Sequence, residues 1–344
     1  MQRSSAMKRG DSLRAVDLST ANSAAVFSLP YLVVALTLGT IWSAAAPAVE
    51  LAPRDQLARM TDAMRSLSYE GVLVYLHDNK LETLRIVHQV EEGQIREHLV
   101  SLNGPVRTLT REKGKVTCEL SESHPISVPG HGLKHGLLRA RAIDPRTFAD
   151  HYLVHPLGAA RVAGRQTDVV GIVPGDGLRY GYRFYLDRES GLPLKSDLMG
   201  QDSDPIEQIM FTTLRLEKEG ERFPAVVVPS LESRQGDAAV KVPDSVPWKF
   251  DELPAGFALV MYDNWRDASG QDVAHFVLSD GLASVSVYVE SDPKEGLDGA
   301  TRIGAVHAAG TRVSGHQVTV VGEVPSVTVK AVLSGIRHRE GGRP

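Results

Sequence analysis

The sequence has very little cysteine: one residue, Cys118, in a chain of 344. A single thiol excludes an intramolecular disulfide, so the cores must hold themselves together. Cys118 stands in the alternating run Val116-Thr117-Cys118-Glu119-Leu120. That pattern predicts a buried, inert thiol rather than a nucleophile. Excess charge of one sign is also scarce, with a formal net charge of −4. This excludes general nucleic-acid binding, which requires a net basic surface. The usual catalytic signatures are missing as well. There is no Gly-x-Ser-x-Gly elbow, no His-Glu-x-x-His and no Gly-x-x-x-x-Gly-Lys-Ser/Thr. Long apolar runs are confined to the first 46 residues.

Three local features imitate sites. Gly130–Gly136 (GHGLKHG) and Gly175–Gly181 (GDGLRYG) each fall one residue off the dinucleotide fingerprint. Neither lies between a strand and an opening helix, as phosphate binding requires, so both read as turns. His124, His131 and His135 have no local carboxylate or thiol beside them. They read as a loop and not as a metal centre. Asp202, Asp204 and Glu207 are too few oxygen ligands for calcium and read as a solvated turn. No catalytic residue, metal or cofactor is therefore assigned, and the expectation is that the chain is not an enzyme.

What is present begins with an export signal. Arg3, Lys8, Arg9 and Arg14 make a basic region, diluted by Asp11 and Asp17. An apolar run follows from Ala24 to Trp42, and Ala44-x-Ala46 fits a small-x-small cleavage site. Residues 1–46 are expected to be removed, leaving 298 residues with a net charge near −6; the alternative is an uncleaved membrane anchor, since the apolar run is close to spanning length. With no cysteine at the cut to take a lipid, the chain is expected to work outside the cytoplasm without a lipid anchor there.

The rest reads as α+β in two domains. Pro53–Leu67 places Leu57, Met60, Met64 and Leu67 three and four apart, the stripe of an amphipathic helix. Short alternating runs follow. They are Tyr69–Leu76, Leu81–Val90, Gln94–Leu102, Val106–Arg111 and Val116–Leu120, separated by turns such as Asp78-Asn79, Glu92-Gly93 and Asn103-Gly104. Such spacing predicts antiparallel hairpins. A short helix is expected at Pro145–His151. Strands resume at Ala160–Ala163, Thr167–Val173, Tyr180–Leu186, Leu192–Met199 and Glu207–Leu216. Residues 47–217 form the N-terminal domain in this reading. Five prolines between 218 and 254 indicate a linker, placed at 218–250. The C-terminal domain, 251–344, is expected to be a small antiparallel sheet with a helix. Its strands fall at Phe257–Tyr262, Ala274–Ser279, Ser284–Glu290, Ile303–Ala309 and Gln317–Gly322, and its helix at Pro325–Ile336. In the first strand, Val72, Val74 and Leu76 alternate with Leu73 and Tyr75, so both of its faces are apolar and both need covering.

Several segments together resemble the MucB/RseB family of periplasmic sigma-factor regulators. In the first domain they are Met64–His88 (MRSLSYEGVLVYLHDNKLETLRIVH), Glu97–Pro105 (EHLVSLNGP) and Lys115–Cys118 (KVTC). In the second they are Leu253-Pro254-x-Gly256-Phe257, Phe276–Val287 (FVLSDGLASVSV) and Gln317–Pro325 (QVTVVGEVP). The loop Ser121–Gly136 and the linker depart from the pattern, and nothing is carried onto them. The resemblance implies an open, lipoprotein-carrier-like antiparallel half-barrel with helices in its concavity, followed by the smaller sheet-plus-helix domain. It implies a regulator that binds the periplasmic part of a membrane anti-sigma factor and shields it from regulated proteolysis. Release would follow sensing of a lipid or lipopolysaccharide fragment. The alternative is a periplasmic lipid or lipoprotein carrier, against which the second domain argues. For the ligand, Tyr75, Leu84, Ile86 and Leu99 are the expected contacts. For the partner, the expected contacts are the turn residues Asn103, Gly104, Asp280 and Gly281. The sequence leaves a homo-oligomer open.

Overall fold

A computed structural model of the chain describes residues 51–103, 107–112, 115–120, 150–218, 221, 223, 246–266, 270–291 and 296–339. For 107–112 and 115–120 it describes the backbone. The short helix expected at Pro145–His151 lies outside these residues except for Asp150 and His151, which form a turn. The His124, His131 and His135 cluster also lies outside them.

The described chain opens with helix α1, Pro53–Ser66. Pro53 occupies the first turn, where its missing N–H costs nothing. The predicted stripe is buried: Leu57, Met60 and Met64 enter the core, with Leu67 packed at its edge. Arg59 ties the helix down by donating to the carbonyls of Arg188 and Glu189 at 2.9 and 2.6 Å.

Ten antiparallel strands follow in one sheet. The first five are β1 (Tyr69–His77), β2 (Lys80–Glu91), β3 (Gln94–Ser101), β4 (Arg107–Glu112) and β5 (Lys115–Leu120). The second five are β6 (Tyr152–Val162), β7 (Arg165–Pro174), β8 (Gly181–Asp187), β9 (Pro193–Met199) and β10 (Pro205–Leu216). The spatial order is β5-β4-β3-β2-β1-β10-β9-β8-β7-β6. Two meanders are thus joined by the pairing of β1 with β10, which sets Tyr69 opposite Leu216. Two-residue turns with both residues at positive φ close the β1–β2, β2–β3 and β6–β7 hairpins: Asp78-Asn79, Glu92-Gly93 and Ala163-Gly164. These turns match the twist of the strands they join.

One face of this sheet carries the core. Leu73, Tyr75, Ile86, Leu99, Ile172, Phe184, Leu194 and Phe211 pack there against α1. The other face of β1 is only partly covered: Val72 and Val74 are half-buried and Leu76 is exposed. The apolar alternation of β1 therefore overstates how closed its second face is.

The smaller sheet has the order β12-β13-β14-β17-β16-β15. Its strands are β12 (Ala258–Arg266), β13 (Asp272–Ser279), β14 (Ser284–Glu290), β15 (Gly299–Ile303), β16 (Val306–Val313) and β17 (His316–Gly322). Helix α2, Ser326–Gly335, packs on it through Val329 and Val332. The run Ile303–Ala309, expected as one strand, is instead broken at Gly304, whose φ of +58° turns the chain from β15 into β16. The last residues of the expected linker also hold structure. Trp248–Phe250 is a strand, β11, paired with β18 (Ile336–His338), and Val246 and Trp248 join the smaller core.

Candidate functional site: a polar seam between the two sheets

The side chains that join the two sheets converge on Arg179. It lies in the turn before β8, within the stretch Gly175–Gly181, and it is fully buried. A guanidinium has donors on three nitrogens, and here all three are used. Nε donates to Asp176 Oδ1 at 3.0 Å, and Nη1 donates to Asp280 Oδ2 at 2.6 Å. Nη2 donates to the Ala255 carbonyl. The rings of Tyr152 and Phe257 lie 5.5 and 5.2 Å from the guanidinium carbon, within cation–π range.

Asp280 is saturated from the other side. Its Oδ1 accepts the amides of Leu282 and Ala283 at 2.9 and 2.7 Å, which hold the β13–β14 turn. Its Oδ2 accepts the Tyr152 hydroxyl at 2.9 Å as well as Arg179. A carboxylate has about four acceptor positions, and all are filled. Burial, then the Asp280 charge and hydrogen bond, push the Tyr152 phenol above the ordinary tyrosine range. Breaking a buried pair of this kind by removing one partner costs about 3–5 kcal/mol.

Flanking contacts extend the junction. Tyr75 donates to Glu207 Oε2 at 2.7 Å, and the Ala305 amide of the β15–β16 turn donates to Glu207 Oε1 at 3.2 Å. Tyr182 donates to Glu323 at 3.4 Å. His307 Nδ1 donates to the Val324 carbonyl at 2.9 Å, with the Tyr180 hydroxyl 3.4 Å away. Burial pushes the Tyr180 phenol up to about 12. From α2, Thr328 donates to the Leu178 carbonyl at 2.5 Å. Gly256, at φ +82°, lies against His151; a Cβ there would sit 2.3 Å from the imidazole. Only glycine lets the backbone pass that close in that conformation.

The expected site residues fall in two groups. Tyr75, Ile86 and Leu99 belong to the larger core, and Leu84 packs against it. All four share one face of the sheet. A cavity of about 540 Å³ opens elsewhere, lined by Gln89, Val90, Glu91, Glu92, Gln94, Arg96 and Glu217, and it is mainly polar. Asn103 is exposed and fixes its own turn: its Oδ1 accepts Thr83 N at 2.6 Å and its Nδ2 donates to Leu81 O at 3.1 Å. Gly104 lies outside the described residues. Asp280 is buried in the seam, and Gly281 follows it at φ +95°. Of the acidic trio, Asp202 and Asp204 are exposed, whereas Glu207 turns inward to the seam. Among the described residues, no three His, Cys, Asp or Glu side chains group to hold a metal.

Sequence reading passed over Arg179, because its glycine-rich setting looked like a plain turn. The usable signal was the segment Leu253–Phe257. Its Ala255 carbonyl, Gly256 and Phe257 ring all meet the larger domain at or beside Arg179. The segments Phe276–Val287 and Gln317–Pro325 supply Asp280, Glu323 and the Val324 carbonyl to the same seam.

Both halves of this arrangement match a known family. Residues 52–233 match the MucB/RseB N-terminal domain and residues 242–337 match the MucB/RseB C-terminal domain. The chain belongs to the MucB/RseB family. It is 33% identical over 325 residues to the sigma factor AlgU regulatory protein MucB of Pseudomonas aeruginosa, covering 88% of this chain and 96% of that protein. It is 25% identical over 318 residues to the sigma-E factor regulatory protein RseB of Haemophilus influenzae, covering 90% of this chain and 99% of that one. Among solved structures it resembles MucB of the Pseudomonas aeruginosa MucA/MucB complex. There the TM-score is 0.63 at 30% identity, over 84% of this chain and 99% of the other. MucB solved in complex with MucA(peri) gives a TM-score of 0.62 at 31% identity.

Proposed function

We propose that this chain is a periplasmic regulator of an extracytoplasmic-function sigma factor, acting as a binding protein with no catalysis of its own. It holds the periplasmic segment of a membrane anti-sigma factor and shields that segment from regulated proteolysis. The observation that carries this reading is the match across both domains to MucB, a protein solved together with MucA. A lipid or lipoprotein carrier, the alternative, needs only the larger sheet. The built contacts from Asp280, Ala305 and Thr328 to that sheet instead favour a function that uses both domains.

The lipid part of the reading rests on the apolar face that carries Tyr75, Leu84, Ile86 and Leu99. Acyl chains gain about 0.8 kcal/mol per buried CH₂, so a longer chain competes better with the packing of that face. Lipid releases the partner only if it favours the form of lower partner affinity. The turn residues Asn103, Gly104 and Gly281 are the proposed partner contacts; Asp280, expected beside them, is instead held inside the seam with its acceptor positions filled.

A reconstituted proteolysis assay tests the shielding. The anti-sigma periplasmic segment is cleaved by its envelope protease with and without this chain. Slower cleavage in its presence supports the reading, and an unchanged rate at saturating chain removes it.

A further inference from the structure

Each sheet has an apolar core of its own, and the junction between them is polar at its centre. Among the described residues of the smaller domain, Leu282 and Ala305 are the ones that enter the larger core. The other cross-contacts among the described residues include hydrogen bonds, one buried ion pair, the Phe257 ring over Arg179 and the close approach of Gly256 to His151. Such a junction can part where a core cannot. Its polar groups regain water on opening, whereas an opened core exposes apolar surface with nothing gained.

We propose that Arg179 and Asp280 form a latch that holds the two domains closed, and that breaking it lets them part as intact bodies. Arg179 divides its bonds between the domains, with Asp176 on its own side and Asp280 and Ala255 across the seam. Tyr152 from the larger domain and Phe257 from the smaller one both face its guanidinium. Neither end is stranded by opening. Asp280 keeps the Leu282 and Ala283 amides, and Arg179 keeps Asp176. The flanking links from Glu207 to Ala305 and from Tyr182 to Glu323 are longer, at 3.2 and 3.4 Å, and Thr328 adds one neutral hydrogen bond to the Leu178 carbonyl at 2.5 Å, so the Arg179–Asp280 pair is the charged link at the centre. The latch does not depend on the proposed partner, because it is tested on the chain alone.

The test is amide hydrogen exchange on the full chain, with small-angle scattering alongside. The Ala305 amide reports the seam. The amides of Phe184 and of Val287 and Val320 report the two cores, where these residues are fully buried. In Arg179→Ala, Ala305 loses protection and the radius of gyration rises, while all three core amides stay protected. Asp280→Asn, which keeps the turn-capping oxygen, moves the same readouts in the same direction by less. It carries the test if Arg179→Ala does not fold. Arg183→Ala removes an equal charge beside Asp197, away from the seam, and leaves Ala305 unchanged. The latch is overturned if Ala305 stays protected in both seam variants. It is also overturned if either core loses protection together with Ala305.

Discussion

Asp187 and the buried tyrosines show how single side chains set the pH limits of this molecule. Asp187 accepts a bidentate pair from Arg165, at 2.9 Å on each oxygen, and two bonds from Ser190. Burial raises its pKa, but the bonds from Arg165 and Ser190 and the Arg165 charge outweigh that and hold it below the ordinary 3.8. A depressed carboxyl contributes stability above its unfolded value and loses it as pH falls through the folded one. Asp187→Asn should therefore lower the melting temperature at neutral pH and flatten the acid limb below pH 3.8, read by circular dichroism. The tyrosines act at the other limit. Burial first, then the Glu207 charge, raises the Tyr75 phenol, and Tyr152 and Tyr180 are raised as well. The unfolded chain releases these protons from pH 10 upward and the folded chain retains them, so stability falls above pH 10. Ultraviolet titration should show Tyr75 and Tyr152 ionising only as the fold is lost. Tyr152→Phe removes one donor from Asp280 and leaves three. It should cost about 1.5–3 kcal/mol, the range for a hydrogen bond to a charged group, measured by denaturant unfolding.

At the scale of the element, periodicity decided what could be read in advance. The stripe Leu57, Met60 and Met64 defines α1 because apolar positions three and four apart face one way on a helix. Met60→Ala should accordingly cost about 2–5 kcal/mol, seen as a shift in the urea midpoint. Strands β1 to β3 were legible for a similar reason, since their turns sit between alternating runs. Period-two alternation says little about what covers a strand, and so Leu76 and the outer face of β1 are more exposed than the pattern implied. It also runs straight through Gly304, where only the backbone angle reveals the β15–β16 turn. Proline content hid β11, because Trp248–Phe250 is ordered by pairing with Ile336–His338, far away in sequence. The seam was the least legible part. Arg179 and Asp280 are 101 residues apart, and local spacing carries no trace of such a contact.

At the scale of the whole molecule, the pairing of β1 with β10 makes the larger domain one sheet from two meanders. Tyr69 and Leu216 are neighbours in space across most of that domain's sequence. Pairings between distant segments of the chain make folding slow. The smaller domain then sets its turns against the end of that sheet, so that the regions matched to the two family domains meet at one seam. Under the proposed function, the chain is accordingly expected to engage its partner as a two-domain unit. The most direct test of that account is isothermal titration of the full chain with the periplasmic segment of the anti-sigma factor. The account predicts saturable one-site binding at micromolar or lower concentration, with a negative heat-capacity change from apolar burial. No binding heat at any temperature across that concentration range, confirmed by failure to co-elute, would contradict it.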